Sequence, residues 1–223
     1  MLLSNEKLTA NSYQLSANSK AVFLDRDGVL NEEMGDYVWT PERFRIRPSV
    51  PASLARLKAA GYYLVVVTNQ AGIAKGLYTR ADALACHELL QQASGRALDA
   101  LYLADSHPSV SESILRKPDS GMLEKAIARF RLDPAQCWLV GDRARDLEAA
   151  ARVGVRGILV GHAEPVVAGA PWAEGLAEAL AQVGAIDPAA CRAAARARFP
   201  LARMTDGYLA LHDQVAEEAR AAA

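Results

Sequence analysis

Short apolar runs alternate with amphipathic stretches along most of this chain. Ala21-Val22-Phe23-Leu24 reads as a buried strand, and Val50 to Ala60 as a helix ended by Gly61. Tyr63-Leu64-Val65-Val66-Val67 is a second β-rich run, followed by a helix from about Arg80 to Ala93. A third run, Ala100 to Leu103, precedes a helix from Gly121 to Phe130. Cys137-Trp138-Leu139-Val140 and Val155 to Val160 supply two more strands around a helix at Arg145 to Val153. Continuously apolar strands alternating with helices are the pattern of a parallel sheet covered on both faces, because each strand must be buried on two sides. The expected fold class is α/β.

The rest of the chain divides by composition. Residues 1–19 are polar, rich in Ser and Asn, without the apolar core of a signal peptide. The sheet domain is expected to span 20–160. Residues 161–175, with Pro165, Pro171 and their glycines, read as a linker. Residues 176–223 read as an Ala-rich helical appendage broken at Asp187-Pro188 and near Phe199-Pro200, with frayed final alanines. Nothing approaches the roughly 18 uninterrupted apolar residues of a membrane span. Cys86, Cys137 and Cys191 are widely separated and make no Cys-x-x-Cys pair, which fits buried thiols in a reducing compartment. A cytoplasmic location follows. At 223 residues and net charge −1, the chain can bury a sizeable core and carries no overall pull toward nucleic acid or anionic membrane.

The polar residues at the strand ends carry the chemistry. In an open parallel sheet, ligands bind beyond the carboxyl ends of the strands, where the strand order reverses. The first run ends in Asp25-Arg26-Asp27-Gly28, the second in Thr68-Asn69-Gln70 and the fourth in Gly141-Asp142. Asp25 and Asp27, two apart on an extended segment, leave on the same face. One carboxylate can attack phosphorus while the other, protonated, serves the departing alcohol. The same Asp-Gly pair also suits a simple turn. An EF-hand loop is excluded, because its glycine belongs at position 6 and Gly28 sits at position 4 of the run. A carboxylate approaching a phosphate dianion needs a cation between them. Asp25 and Asp142 could hold Mg2+ with the backbone carbonyl of Asp27, and Asp142 also suits the N-cap of the next helix. Thr68, Lys117 and Arg116 offer donors for the phosphoryl oxygens. Lys75, in a Gly-bearing loop after Gln70-Ala71-Gly72, either reaches substrate or is solvated.

These residues resemble the four motifs of the haloacid dehalogenase superfamily of phosphohydrolases, in order. The motifs are Asp25-Arg26-Asp27-Gly28-Val29-Leu30-Asn31, Thr68-Asn69-Gln70, Lys117, and Gly141-Asp142 with Asp146. The stretches from Val67 to Gly76 and from Arg116 to Leu123 are similar to the branch of D-glycero-D-manno-heptose 1,7-bisphosphate phosphatases and histidinol phosphatases. The resemblance covers about Lys20 to Val160. It implies a Rossmann-like domain without a large cap, Asp25 as nucleophile and Asp27 as acid/base. It further implies Mg2+ on Asp25, the Asp27 carbonyl and Asp142, and phosphate on Thr68 and Lys117. Asn69, Lys75 and Arg116 would lie near the substrate, and Arg143 stands where the branch often has a basic residue.

One departure is large. Many branch members carry a zinc loop of Cys-x-His and Cys-x-Cys before the Arg-Lys-Pro. Here the four ligand positions hold Ala104, Ser106, Ser113 and Leu115, the loop is shorter, and His107 alone cannot make a structural zinc site. No zinc is expected. That loop shapes the substrate pocket, so its change bears on specificity.

The function this implies is hydrolysis of a small-molecule phosphate ester through a phosphoaspartate, with the 7-phosphate of the heptose bisphosphate first among substrates. Lipopolysaccharide sugar synthesis would be its setting. Histidinol phosphate or another sugar phosphate is the alternative, and a nucleic-acid 3′-phosphatase ranks lower because no basic stripe is visible. A receiver-like phosphoacceptor module is the alternative of another class. It lacks a use for Asp27, which promotes the hydrolysis a receiver must avoid. A silent scaffold has no support in the motifs. The tail around Ala197 to Leu211 resembles the closing helices of some retaining glycosyltransferases, or is an amphipathic appendage packing on the sheet domain or on a second subunit. The expected state is a monomer, or a dimer through these helices.

Overall fold

The structure is a computed structural model, and it describes residues 19–161 and 171–185. The expected polar segment before residue 19, Cys191 and the helical tail beyond residue 185 lie outside the described residues. Six strands form one sheet: β1 (Ala21–Leu24), β2 (Tyr63–Asn69), β3 (Ala100–Ala104), β4 (Trp138–Gly141), β5 (Arg156–Val160) and β6 (Trp172–Ala173). Every pairing is parallel, and the order is β3-β2-β1-β4-β5-β6. The helices are α1 (Val50–Ala59), α2 (Ala71–Ala74), α3 (Arg80–Ala93), α4 (Gly121–Phe130), α5 (Ala144–Arg152) and α6 (Leu176–Ala185). None of them is long and apolar enough to cross a membrane.

The strands are apolar throughout because alternate residues fill two separate cores. Val22, Leu24, Leu64, Val66, Trp138, Val140 and Ile158 face α1, α3 and α6 through Leu54, Cys86, Leu90, Leu176 and Ala179. Ala21, Phe23, Val65, Val67 and Leu139 face α4 and α5 through Met122, Leu123, Ala126, Ala149 and Ala150. Each large aliphatic side chain so buried contributes about 1.5–3 kcal/mol. Cys86 and Cys137 are buried members of these cores, as their isolation in the sequence suggested. The entry of α3 is set by a capping box, in which Thr79 Oγ1 accepts from Asp82 N–H and Asp82 accepts from Thr79 N–H.

The boundary expected at 161–175 shifts. Trp172–Ala173 is a sixth strand, in register with Leu159 and Val160. Leu176, Ala179, Leu180 and Val183 of α6 are buried in the same core as α1. Residues 171–185 are therefore part of the sheet domain. A strand of two residues has no sequence period, so its pairing could emerge only in three dimensions.

The order of the strands positions the site. The chain builds outward from β1 through β2 to β3, then returns to place β4 on the other side of β1. That reversal opens a crevice at the carboxyl ends of β1 and β4.

Candidate active site

Asp25 follows β1 directly, and its N–H donates to the Val140 carbonyl of β4 at 2.9 Å, joining the two strand ends at the reversal. Its Oδ1 accepts from Arg26 N–H at 2.7 Å and meets Lys117 Nζ at 2.9 Å. Asp142 extends beyond β4, and Asp146 lies in the first turn of α5, fully buried. Asp25, Asp142 and Asp146 each present an oxygen within 4.8 Å of the others.

Lys117 is the counter-charge, reached from the loop before α4 and itself only 1 % exposed. Its Nζ meets Asp25 Oδ1 at 2.9 Å and Asp146 Oδ1 at 2.6 Å, and donates to the Val67 carbonyl at 2.8 Å. Three carboxylates thus face one ammonium in a buried crevice. Burial pushes the Asp25 carboxyl up to about 7; Lys117 opposes this, while Asp146 and Asp142 add to it. Asp142 is also raised, by burial and then by Asp146, against the pull of Arg143 and Arg145. Burial disfavours the Lys117 ammonium, but Asp25 and Asp146 outweigh it and hold its pKa above the ordinary value.

A cluster of carboxylate oxygens short of positive charge fits a hard divalent cation such as magnesium. Among the described residues it is the one grouping of His, Cys, Asp and Glu so placed. Gly28 keeps it open: at φ +83°, a Cβ there would stand 2.5 Å from Asp142 Oδ2. The expectation that Asp142 caps the following helix is corrected. Arg143 occupies the N-cap, and Asp146 Oδ2 accepts its N–H at 3.0 Å, so the Asp142 carboxylate belongs to the cluster. Arg143 also reaches Asp142 through Nε at 3.1 Å and Glu33 through Nη2 at 3.5 Å.

Asp27 takes partners of its own. Its Oδ1 accepts from Asn31 Nδ2 at 3.0 Å and from Arg26 Nη2 at 3.1 Å, and its Oδ2 from Arg26 Nη2 at 3.1 Å and Gln70 Nε2 at 2.9 Å. Arg26, 1 % exposed, also donates to the Val38 carbonyl at 2.9 Å and lies 5.5 Å from the Phe44 ring centre. With its side chain 28 % exposed, Asp27 opens onto a cavity of about 360 Å³ shared with Tyr37, Asn69, Gln70, Tyr78 and Arg145.

The remaining expected residues fall into three groups. Thr68 is buried at the end of β2, and its Oγ1 accepts from Gln70 Nε2 at 2.9 Å. Asn69 lines the cavity, yet its amide is engaged with the Lys117 backbone: Nδ2 donates to Lys117 O at 2.9 Å and Oδ1 accepts Lys117 N–H at 3.0 Å. Asn69 therefore sets the loop that delivers Lys117. Arg116 and Lys75 bond to groups outside the carboxylate cluster. Arg116 Nη1 donates to the Ser106 carbonyl at 3.0 Å and lines a second cavity of about 420 Å³ with Glu112, Ser113 and Ile114. Lys75 Nζ donates to Tyr37 Oη at 3.1 Å.

Of the four positions in the altered loop, Ala104 ends β3, Ser106 is buried, Ser113 lines the second cavity, and Leu115 packs on the core. Four contributors had no assigned role in the sequence reading: Arg26, Asn31, Gln70 and Asp146. All four lie inside the motif stretches, so the signal was present; their partners come from other elements and were not.

Comparisons with known proteins point to one family. A family model described as HAD-hydrolase-like matches residues 114–190. A D-glycero-beta-D-manno-heptose-1,7-bisphosphate 7-phosphatase of Haemophilus ducreyi is 39% identical over 146 residues, 61% of this chain and 80% of the relative. The protein of that name from Haemophilus influenzae is 38% identical over 157 residues, 66% of this chain and 85% of its own. Among solved structures, the D,D-heptose 1,7-bisphosphate phosphatase of B. bronchiseptica, complexed with magnesium and phosphate, superposes with a TM-score of 0.66. It is 31% identical, and the match covers 74% of this chain and 97% of that one.

Proposed function

The chain belongs to the haloacid dehalogenase-like phosphatases, and from that premise we propose a magnesium-dependent enzyme that removes the 7-phosphate of D-glycero-D-manno-heptose 1,7-bisphosphate. It is a phosphoric monoester hydrolase. The observation that carries the metal-dependent phosphotransfer chemistry is the buried Asp25, set against Lys117 and beside Asp142 and Asp146 in the crevice between β1 and β4.

An oxygen of Asp25 attacks phosphorus in line, and the bond from phosphorus to the sugar oxygen breaks. Asp27 gives that oxygen its proton, leaving a phosphoaspartate on Asp25. Asp27 then takes a proton from water as the water attacks the same phosphorus; the bond to Asp25 breaks and inorganic phosphate leaves. Lys117 and the Thr68 hydroxyl carry the charge that spreads over the phosphoryl oxygens. Asp25, Asp142 and the Asp27 carbonyl would hold Mg2+, with Asp146 beside them steering Lys117. When bound, the metal neutralises charge between carboxylate and phosphate dianion.

Arg116, Lys75 and Arg145 around the two cavities favour a substrate with a second anionic group, in keeping with the bisphosphate acted on by the relatives. The loop from Ala104 to Leu115, which borders the cavity lined by Arg116, keeps histidinol phosphate and other sugar phosphates as the second reading. A cytoplasmic monomer, or a dimer through the C-terminal helices, completes the proposal.

The test is phosphate release with Mg2+ from the heptose bisphosphate, sugar monophosphates, histidinol phosphate and nucleotides. The bisphosphate should be preferred and yield the 1-phosphate, and Asp25→Asn should abolish turnover. Equal rates across the panel would remove the heptose assignment.

A further inference from the structure

Asp27 is connected outward, through Gln70, to the Tyr78 hydroxyl. A carboxylate only accepts hydrogen bonds, so the group of Gln70 facing Asp27 Oδ2 at 2.9 Å is its amide nitrogen. The same nitrogen reaches Thr68 Oγ1 at 2.9 Å. The amide oxygen is thereby turned the other way, where the Tyr78 hydroxyl donates to it at 2.6 Å. Without that donor, the amide has less to oppose a half-turn that would aim oxygen at Asp27.

Tyr78 is itself tightly placed. It is 6 % exposed, and its ring stacks on Trp39 with centres 5.9 Å apart and planes 9° apart. A Cβ at residue 72 would stand 2.1 Å from the ring, so Gly72 leaves it room. The hydroxyl therefore arrives at Gln70 on a clamped ring.

We propose that Tyr78 and Gln70 are positioning residues for the acid/base step: Tyr78 holds the Gln70 amide, and Gln70 holds the Asp27 carboxyl toward the leaving oxygen. The inference rests on the reading of Asp27 as proton donor. It assigns to Tyr78 a role distinct from packing, and it ties the segment carrying Trp39 to the proton transfer.

The experiment compares two substrates in the full chain with Mg2+. An alkyl phosphate such as a sugar phosphate needs a proton on its leaving oxygen, whereas p-nitrophenyl phosphate does not. In both cases kcat/KM reports the first transfer, to Asp25. Tyr78→Phe keeps the ring and its stack, and should lower kcat/KM for the alkyl ester about tenfold more than for the aryl ester. Gln70→Leu should widen that gap to about a hundredfold, at the low end of what a positioned acid contributes. Any disturbance of Thr68 lowers both substrates alike and cancels in the ratio. Asp27→Asn supplies the benchmark for selective loss. Selective loss in Asp27→Asn with an unchanged ratio in Tyr78→Phe and Gln70→Leu overturns the positioning role while the phosphatase reading stands. A parent enzyme that hydrolyses neither ester overturns both.

Discussion

Replacing Lys117 with Met removes the one positive group inside the carboxylate cluster while keeping most of its volume. Lys117 Nζ lies 2.9 Å from Asp25 and 2.6 Å from Asp146, with Asp142 within 4.8 Å of both carboxylates. At an effective dielectric of 20, two charges 4.8 Å apart interact by about 3.5 kcal/mol, so even with Arg143 on Asp142 the three clustered carboxylates cannot all remain ionised. Protonation relieves part of this. The net cost should resemble that of breaking a buried ion pair, about 3–5 kcal/mol in metal-free protein. Denaturant unfolding in EDTA and then in saturating Mg2+ measures it. Mg2+ should stabilise Lys117→Met more than the parent, because the ion then meets the full charge of the cluster; an ion at 100 times its Kd adds about 2.7 kcal/mol. Turnover should fall by about 10²–10³-fold even with metal, since a fixed cation at the transferring group is lost. A loss below about 1 kcal/mol in EDTA, or an Mg2+ effect no larger than in the parent, would refute the reasoning.

Three further outcomes follow from other residues. Gly28→Ala places a methyl group against Asp142 at a backbone angle that costs about 1–2 kcal/mol, and should weaken Mg2+ binding at least about tenfold; parental affinity in a thermal-shift titration would show that Asp142 is not a ligand. In metal-free protein, Asp25 binds its proton more tightly folded, at about 7, than at its ordinary 3.8, so its contribution to stability is present at acid pH and declines as pH rises through that window. Unfolding curves from pH 5 to 8 should show this decline in the parent and a flatter profile in Asp25→Asn; identical profiles would contradict it. Leu176→Ala, at a site 1 % exposed, should cost about 2–5 kcal/mol with kcat/KM unchanged, whereas a cost near zero would return α6 to a separate appendage.

The strands were legible because both faces of a parallel sheet are covered, which turns each into an unbroken apolar run such as Tyr63 to Val67. Ala71–Ala74 and Trp172–Ala173 were not, because four and two residues are too few to show a period. Asp25, Asp27, Thr68 and Asp142 stood out because they follow or end apolar strands at one edge of the sheet, and Lys117 because it stands at the entry to a helix beside that edge. Asn69 lines the cavity beside Asp27, and its amide also holds the Lys117 backbone from 48 positions away, a second role that the sequence did not suggest. No local pattern records a partner at that distance.

By itself the sequence determined the five longer strands, which polar residues follow them, and so the kind of bond that the motif around Asp25 and Asp27 can break. The tertiary structure alone decided the order of the strands, which brings Asp25 and Asp142 to one crevice. It also decided that Asp146 shares Lys117 with Asp25, and that Tyr78 reaches Asp27 through Gln70. The physical reason is the range of the forces. Periodicity and strand-end chemistry are written in neighbouring residues, while the charge balance of a buried cluster depends on which elements the packing brings within a few ångströms.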